Sequence, residues 1–95
     1  MNFYSSKMQP DNVKSFETEA FKVRLSKLIE AKAIDDAAFA DVVYVAMSKF
    51  GVAEEDFRDT FGLTKGAVDR WSQRQNMPQP TVRPKILLWI KEKLA

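Results

Sequence analysis

The side chains best suited to recognition chemistry in this sequence are cations and amide donors in its last third. Residues 64–95 contain seven Lys/Arg and two Asp/Glu, a net charge of +5, whereas residues 1–63 contain eight and eleven, a net charge of −3. Guanidinium and ammonium groups bind phosphates and guanine edges, so this division predicts a basic surface that faces nucleic acid. A basic face that is only solvated is the alternative. The predicted contact residues are Thr64, Lys65, Gly66, Asp69, Arg70, Gln73, Arg74 and Arg83.

Catalytic chemistry has little support in the residue types present. The chain contains no cysteine and no histidine, which excludes disulfides, thiolate nucleophiles, imidazole bases and nearly all zinc sites. Paired carboxylates can do hydrolytic work, but the acids here fall at predicted helix caps and first turns, where the helix dipole accounts for them. The sequence has no glycine-rich phosphate loop and no nucleophile with a matching base. We therefore predict that it is not an enzyme, with no cofactor, no metal and no small-molecule ligand.

Two short helices joined by a glycine turn would position the contact residues. The segment 54–74 begins with three acids that suit the positive end of a helix dipole, and Phe57 and Phe61 then share one face. Gly62 ends this helix, because glycine adopts the left-handed conformation at little cost. Leu63 fills the angle between the two helices. The pattern predicts a helix-turn-helix.

The second helix of this unit is predicted to begin at Thr64, whose hydroxyl would serve as its N-cap. At helical spacing, Ala67, Val68 and Trp71 fall on its inner side. The other positions point outward, where DNA would meet them: Lys65, Gly66, Asp69, Arg70, Gln73 and Arg74.

This segment resembles the Cro and repressor (XRE) type of helix-turn-helix. The glycine, the leucine after it, Val68, Trp71 and the Pro-x-Pro of WSQRQNMPQP stand at that family's spacing, and the resemblance covers roughly residues 36–94. The sequence differs at Arg58, where the family usually has a small residue, and at Glu54, where a phosphate-contacting glutamine is frequent. The resemblance implies an all-α, five-helix, lambda-repressor-like helix-turn-helix domain, here with an additional N-terminal helix.

The resemblance also implies a function. We expect a sequence-specific transcriptional repressor of phage or mobile-element type that binds a palindromic operator in double-stranded DNA as a homodimer. Lys65 and Arg70 would read guanine O6 and N7, and Gly66 would let the backbone approach the groove. Asp69 would hold Arg70 in place or accept from a cytosine amino group. A protein-binding module on the same scaffold, without DNA binding, is the alternative, favoured by Arg58, Asp69 and the acidic turn at residues 54–59.

Two further helices are predicted before this unit, with a flexible arm at residues 1–14. Ser15 would cap a helix that runs to about Ala33, with Phe21, Leu25, Leu28 and Ile29 on one face. This helix lies outside the resemblance, and it is either an extra layer on the core or a dimer contact.

Asp35 and Asp36 cap the second predicted helix, which ends before Gly51. A strand over residues 42–45 is the alternative, because short apolar runs fit both structures. The spacing of the outer apolar residues favours a helix, whose stripe consists of Phe39, Val42, Val43, Ala46, Met47 and Phe50.

Pro78 and Pro80 predict a rigid loop, after which Thr81 caps a last helix with Pro84 in its first turn. The predicted core positions of this helix are Ile86, Leu87, Ile90 and Leu94. Leu88 and Trp89 fall beside that stripe, and they form either a partner surface or the edge of a wide buried face.

Chain length and hydropathy indicate the number of domains and the cellular location. Ninety-five residues predict one domain, with an arm at residues 1–14 and a single helical domain at residues 15–95. No apolar run approaches the roughly eighteen residues of a membrane span, and the N-terminus lacks a basic segment followed by an apolar stretch. We expect a cytoplasmic protein with no membrane partner.

Overall fold

The computed structural model describes residues 10–94, and their side chains from residue 15 onward. No strand occurs in this part of the chain, which confirms the predicted all-α class and excludes the strand alternative at residues 42–45. Among the helices described, none is both long and apolar enough to cross a membrane. Five helices follow one another: α1 (Pro10–Glu30), α2 (Asp36–Ser48), α3 (Glu54–Phe61), α4 (Ala67–Ser72) and α5 (Arg83–Lys93).

Helix α1 begins earlier than the sequence pattern predicts. It starts at Pro10, a residue type that suits the first helical turn because its φ is fixed near the helical value and no N–H partner is needed there. Ser15 therefore lies inside the helix and is not its N-cap, and the helix ends at Glu30 rather than at Ala33. Residues 10–14 belong to this helix, and the rest of the predicted arm, residues 1–9, lies outside the described residues.

One face of α1 is a layer of the core. Phe21 and Leu25 are buried, α1 packs against α5, and the Phe21 ring stacks on Phe50 at a centroid distance of 4.8 Å. An ion pair between Arg24 and Asp41 links the same helix to α2. The core role predicted for this helix is therefore confirmed for this face.

Helix α2 begins at the predicted cap. The Asp35 carboxylate accepts a hydrogen bond from the Ala38 N–H at 2.7 Å, which satisfies one of the free donors of the first turn. The helix ends at Ser48, and Gly51 lies in the turn that follows, with φ +70°. The predicted apolar stripe faces the core: Phe39, Val42, Val43 and Ala46 are buried, and Met47 and Phe50 are partly buried against it. Ala40, outside the predicted stripe, is buried as well.

The inner face of α4 packs on α2. Val68 is fully buried and Trp71 is 4% exposed, as the helical spacing predicts. The Trp71 indole meets the Phe39 ring edge-on, with centroids 5.7 Å apart. Because α4 has only six residues, this packing rather than its intrinsic helix propensity holds it in place.

A second aromatic cluster joins α3 to α5. The Trp89 ring lies 4.7 Å from the Phe57 ring and 5.4 Å from the Phe61 ring, with the Lys93 ammonium 5.6 Å from the indole centroid. Trp89 thus belongs to a wide buried face and not to a partner surface. Its neighbour Leu88 stays 45% exposed.

Helix α5 starts one residue later than predicted. Val82 is its N-cap and makes no side-chain capping bond, so the capping role predicted for Thr81 is wrong. Pro84 lies in the first turn, as predicted. The residues that α5 buries are Arg83, Ile86, Leu87 and Ile90.

Candidate nucleic-acid interface

The bend between α3 and α4 is made by Gly62. Its φ of +65° is in the left-handed region, and its N–H donates to the Arg58 carbonyl oxygen. The Leu63 N–H donates to the same oxygen at 3.1 Å, a pattern that satisfies the last carbonyls of a helix and turns the chain away from it. The helix end predicted at Gly62 is therefore confirmed, and Leu63 lies half-buried beyond it.

Helix α4 begins at Ala67, three residues after the predicted N-cap. Its N-cap is Gly66, with φ +85°, and no side chain caps it. Thr64 is exposed, and its carbonyl oxygen accepts from the Ala67 N–H at 3.2 Å in a turn that precedes the helix. The capping role predicted for Thr64 is wrong because a turn over residues 64–67 precedes the helix.

Glu54 holds the start of α4 against the start of α3. Its Oε2 accepts from the Gly66 N–H at 2.8 Å, across twelve residues of sequence. A charged acceptor makes a stronger bond to a backbone N–H than a neutral one does, so this contact helps fix the relative position of the two helices. The sequence shows Glu54 only as an acid in a first helical turn, and nothing in its spacing points to Gly66.

The outer side of α4 is polar, and most of its groups meet solvent. Lys65 and Asp69 are exposed, and Gly66 is half-buried. The Asp69 carboxylate accepts a hydrogen bond from the Gln73 side-chain amide at 3.0 Å. This bond orients the Gln73 amide along the helix surface. The predicted role of Asp69, which is to hold Arg70 in place or to accept from a cytosine amino group, stays a prediction.

Arg70 lies at the flank of this outer side. It is half-buried, and its Nε is buried without a hydrogen-bond partner among the described residues. Its guanidinium is folded toward the first turn: a Cβ built on Gly66 would stand 3.2 Å from an Arg70 terminal nitrogen. Because helical side chains lean toward the N-terminus, Arg70 places its donors beside Gly66 rather than beyond the end of α4.

Arg74 lies past the end of the helix, not on it. Helix α4 ends at Ser72, and Arg74 has φ +63°, a conformation that is uncommon for a residue with a side chain. It lines a groove of about 190 Å³ between α2 and α4, together with the half-exposed ring of Tyr44. Tyr44 is a residue that the sequence interpretation missed, since it appears there only inside an apolar run. The other residues lining the groove are Ala37, Ala40, Asp41 and Ser72.

Arg83 does not belong to this surface, contrary to the prediction. It is 6% exposed, its Nε donates to the Pro78 carbonyl oxygen at 3.0 Å, and its terminal nitrogen donates to the Ile34 carbonyl oxygen at 2.8 Å. The same nitrogen lies 2.8 Å from a carboxylate oxygen of Asp36. The guanidinium thus ties the start of α5 to the start of α2, and its burial keeps it away from a phosphate.

Acidic groups next to the interface lie mainly on α3. Asp56 pairs with Lys93 at 3.0 Å, and both side chains stay partly exposed. Glu55 and Asp59 are exposed, one helical turn apart. In the described part of the chain, no group of three or more acidic side chains is placed to hold a metal ion.

Comparison with protein-family models, with curated proteins and with solved structures found no match to this chain.

Proposed function

We propose that this protein binds duplex DNA sequence-specifically and regulates transcription, with α4 lying in the major groove. One observation carries the proposal: one side of α4 is apolar and buried, and the other is polar and open to solvent. Val68 and Trp71 anchor one side in the core, while the other side exposes Asp69. Lys65, Gln73 and Arg74 are exposed next to the two ends of the helix. A short helix fixed on its inner side can offer donors to base edges without a change of fold.

The proposal includes membership of the Cro and repressor type of helix-turn-helix, with α2 to α5 in a lambda-repressor-like arrangement and α1 as an additional helix. Its support is local. The left-handed glycine at position 62, the half-buried leucine after it and the buried Val68 and Trp71 occupy the roles that the resemblance implies.

The contact residues have different roles in this proposal. Lys65 and Arg70, at the start of α4, read base edges, because the first turn of a recognition helix lies deepest in the groove. Arg74 contacts a phosphate beyond the helix, and the nearby Tyr44 hydroxyl can donate to the same backbone. Thr64 and Gln73 supply neutral donors at the two ends of the helix.

The mechanism we propose is repression by occupancy of an operator, which needs no part of the protein beyond the DNA-binding unit. One recognition helix reads only a few base pairs, so two copies would read the two halves of a palindrome about one helical turn apart. A homodimer working in the cytoplasm, of phage or mobile-element type, fits this mechanism.

A binding selection from a random duplex library tests the proposal. We expect enrichment of a palindrome, and a logarithm of the binding constant that falls linearly with the logarithm of salt concentration, with a slope of about −0.9 per phosphate neutralised. A selection without enrichment, together with a binding constant that does not respond to salt, would contradict it.

A protein-binding module on the same scaffold is the second candidate, and the acids favour it. The Glu54 carboxylate is bound to Gly66 and so is not offered to solvent, while Glu55, Asp59 and Asp69 are exposed and would repel phosphates. For this function, the selection yields no palindrome, and binding to the protein partner shows a much weaker salt slope than DNA binding would.

A further inference from the structure

We infer that Glu54 is a positioning residue for DNA recognition: it fixes the first turn of α4 and, through that turn, the direction of the Arg70 guanidinium. Glu54 does this without touching DNA. Its Oε2 is bonded to the Gly66 N–H at 2.8 Å, and the residue is half-buried where α3 meets the start of α4. A phosphate would be repelled by this carboxylate. The role rests on the proposed function, because it concerns how α4 reads a base.

Gly66 is the residue on which Glu54 acts, and its backbone enters α4 there. It has φ +85°, and no side chain of its own turn caps the helix. Glycine has more conformational freedom to lose than any other residue, so a bond from outside the helix restricts it most. The Glu54 carboxylate accepts from the Gly66 N–H, while the Gly66 carbonyl oxygen accepts from the Arg70 N–H at 3.0 Å. The two polar backbone groups of Gly66 are thus bonded to α3 on one side and to α4 on the other.

The Arg70 side chain lies against this glycine. One terminal nitrogen is 3.2 Å from the place that a Cβ on Gly66 would occupy, and the buried Nε has no hydrogen-bond partner among the described residues. No bond at Nε therefore holds the guanidinium in place. Its position is limited by the contact with Gly66 and by the opposite charge of the Glu54 carboxylate bonded to that residue. Where Gly66 is held decides where the Arg70 donors point.

The position of these donors matters more for base preference than for phosphate binding. A guanidinium that reads guanine must meet O6 and N7 with two parallel N–H groups, a geometry that a small displacement breaks. A phosphate accepts from many directions and tolerates the same displacement. Loss of the Glu54 bond should therefore reduce discrimination between bases, whereas a contact that only stabilises the fold would change binding to every duplex alike.

Base preference is the first test, expressed as a ratio: the affinity for the selected operator divided by that for an operator changed at the base pair that Arg70 reads. Fluorescence anisotropy measures both affinities, under conditions in which circular dichroism shows each variant to be folded. We expect a ratio of about ten or more for the wild type, and Glu54→Ala should lower it at least about threefold.

Two further substitutions separate the bond from the charge. Glu54→Gln keeps the reach and an oxygen acceptor, so it should keep most of the ratio. Glu54→Asp keeps the charge but is one methylene shorter, so it should lower the ratio as Glu54→Ala does. Glu55→Ala is the matched control: it removes an exposed acid one residue further along α3 and should leave the ratio unchanged. Removing either acid can raise the affinity for all duplexes, but this effect cancels in the ratio.

Four results overturn the inference. The ratio is the same for Glu54→Ala and the wild type, Glu54→Gln lowers it as much as Glu54→Ala, or Glu55→Ala lowers it equally. The fourth comes from the Arg70→Ala background, in which Glu54→Ala should have no further effect on the ratio because its only route to the base is through Arg70. An additional loss there assigns Glu54 a separate role.

Nuclear magnetic resonance of the protein without DNA is the second test. In Glu54→Ala, the Gly66 amide hydrogen should exchange faster with solvent, and the order parameter of the Arg70 Nε–H should fall. Arg74 is the internal reference, since it lies beyond the end of α4 and is exposed, and its order parameter should not change. A faster exchange at Gly66 with an unchanged order parameter at Arg70 shows that the guanidinium is not positioned by this bond.

The outcomes for the two proposals are separable. A selection that enriches no duplex contradicts the proposed function and with it the effect on base preference, while the resonance measurement still decides whether Glu54 positions Arg70. A chain that reads a palindrome with the same ratio in the wild type and in Glu54→Ala contradicts this inference alone.

Discussion

Helices α1 and α4 each leave one face open to solvent, and the two faces differ in chemistry. On α1 the open face carries Phe16, Ala20 and Val23, with Phe16 the most exposed large apolar side chain in the described part of the chain. On α4 the open face carries Asp69, with Lys65 and Gln73 exposed next to the two ends of the helix. An apolar face gains by excluding water, whereas a cationic face gains by displacing counterions from phosphate. The two open faces therefore suit different kinds of partner, and variants in one face should leave the other unaffected.

The largest expected effect is that of Trp71→Ala, which should destabilise the fold and with it the open faces of both α1 and α4. The indole is 4% exposed and packs on Phe39, so its removal should lower the free energy of unfolding by about 3–5 kcal/mol. Urea denaturation followed by circular dichroism measures this, with Leu88→Ala as a surface control that should change it by less than about 0.5 kcal/mol. Loss of DNA binding in Trp71→Ala at an unchanged melting temperature would show that the indole acts on the surface.

Arg83→Ala should also destabilise the fold, and so both open faces, but by a smaller amount. It removes donors from two carbonyl oxygens and a partner from Asp36, whose side chain is 59% exposed and so stays partly hydrated. We expect a loss of about 2–3 kcal/mol in the free energy of unfolding. Arg83→Lys should recover part of it, because an ammonium keeps the charge but cannot reach all three acceptors. Equal stability of Arg83→Ala and the wild type would mean that these contacts contribute nothing net.

Arg70→Ala should affect the α4 face alone. Its guanidinium is proposed to read a base edge, so operator affinity should fall by about 1–3 kcal/mol and preference at one base pair per half-site should relax. Fluorescence anisotropy on the selected operator and on a random duplex measures both, and the random duplex should bind almost as before. An equal loss on the two duplexes would assign Arg70 to a phosphate.

Arg74→Ala should give the smallest change, and a uniform one. Arg74 lies beyond the last residue of α4, where the DNA backbone rather than a base is in reach. Affinity should fall equally on operator and random duplexes, and the salt slope should become shallower by about one unit. Phe16→Glu, measured on a single half-site, is the comparison: its slope should equal that of the wild type. An unchanged slope for Arg74→Ala would remove the assigned contact.

Local signals in the sequence were sufficient for the helices and their inner faces. Asp35 caps α2, Gly62 ends α3, and Val68 and Trp71 face the core, because capping, left-handed glycine and helical spacing depend on residues within one or two turns. The start of a helix was predicted less accurately where two nearby residues could each serve as its N-cap. Thr64 is a good cap by type, but Gly66 two residues later takes that position, with a backbone conformation that favours glycine.

Contacts between distant residues could not be predicted. Arg83 looked like a surface cation in a basic segment, yet its partners Ile34 and Asp36 lie almost fifty residues away and only the fold brings them to it. Glu54 meets Gly66 for the same reason. The candidate site therefore includes the predicted helix and most of the predicted cations. Arg83 is excluded from it because it is buried, and Tyr44 is added.

A substitution at Gly66 would change the position of the Arg70 guanidinium without changing Arg70 itself. A methyl group at this position would stand 3.2 Å from the Arg70 guanidinium, and it would also have to adopt a φ of +85°. Any side chain there displaces the Arg70 donors while Arg70 itself stays the same. Under the proposed function, operator preference would change through a residue that has no side chain to contact a base, and comparison of the contact residues alone would not detect the change.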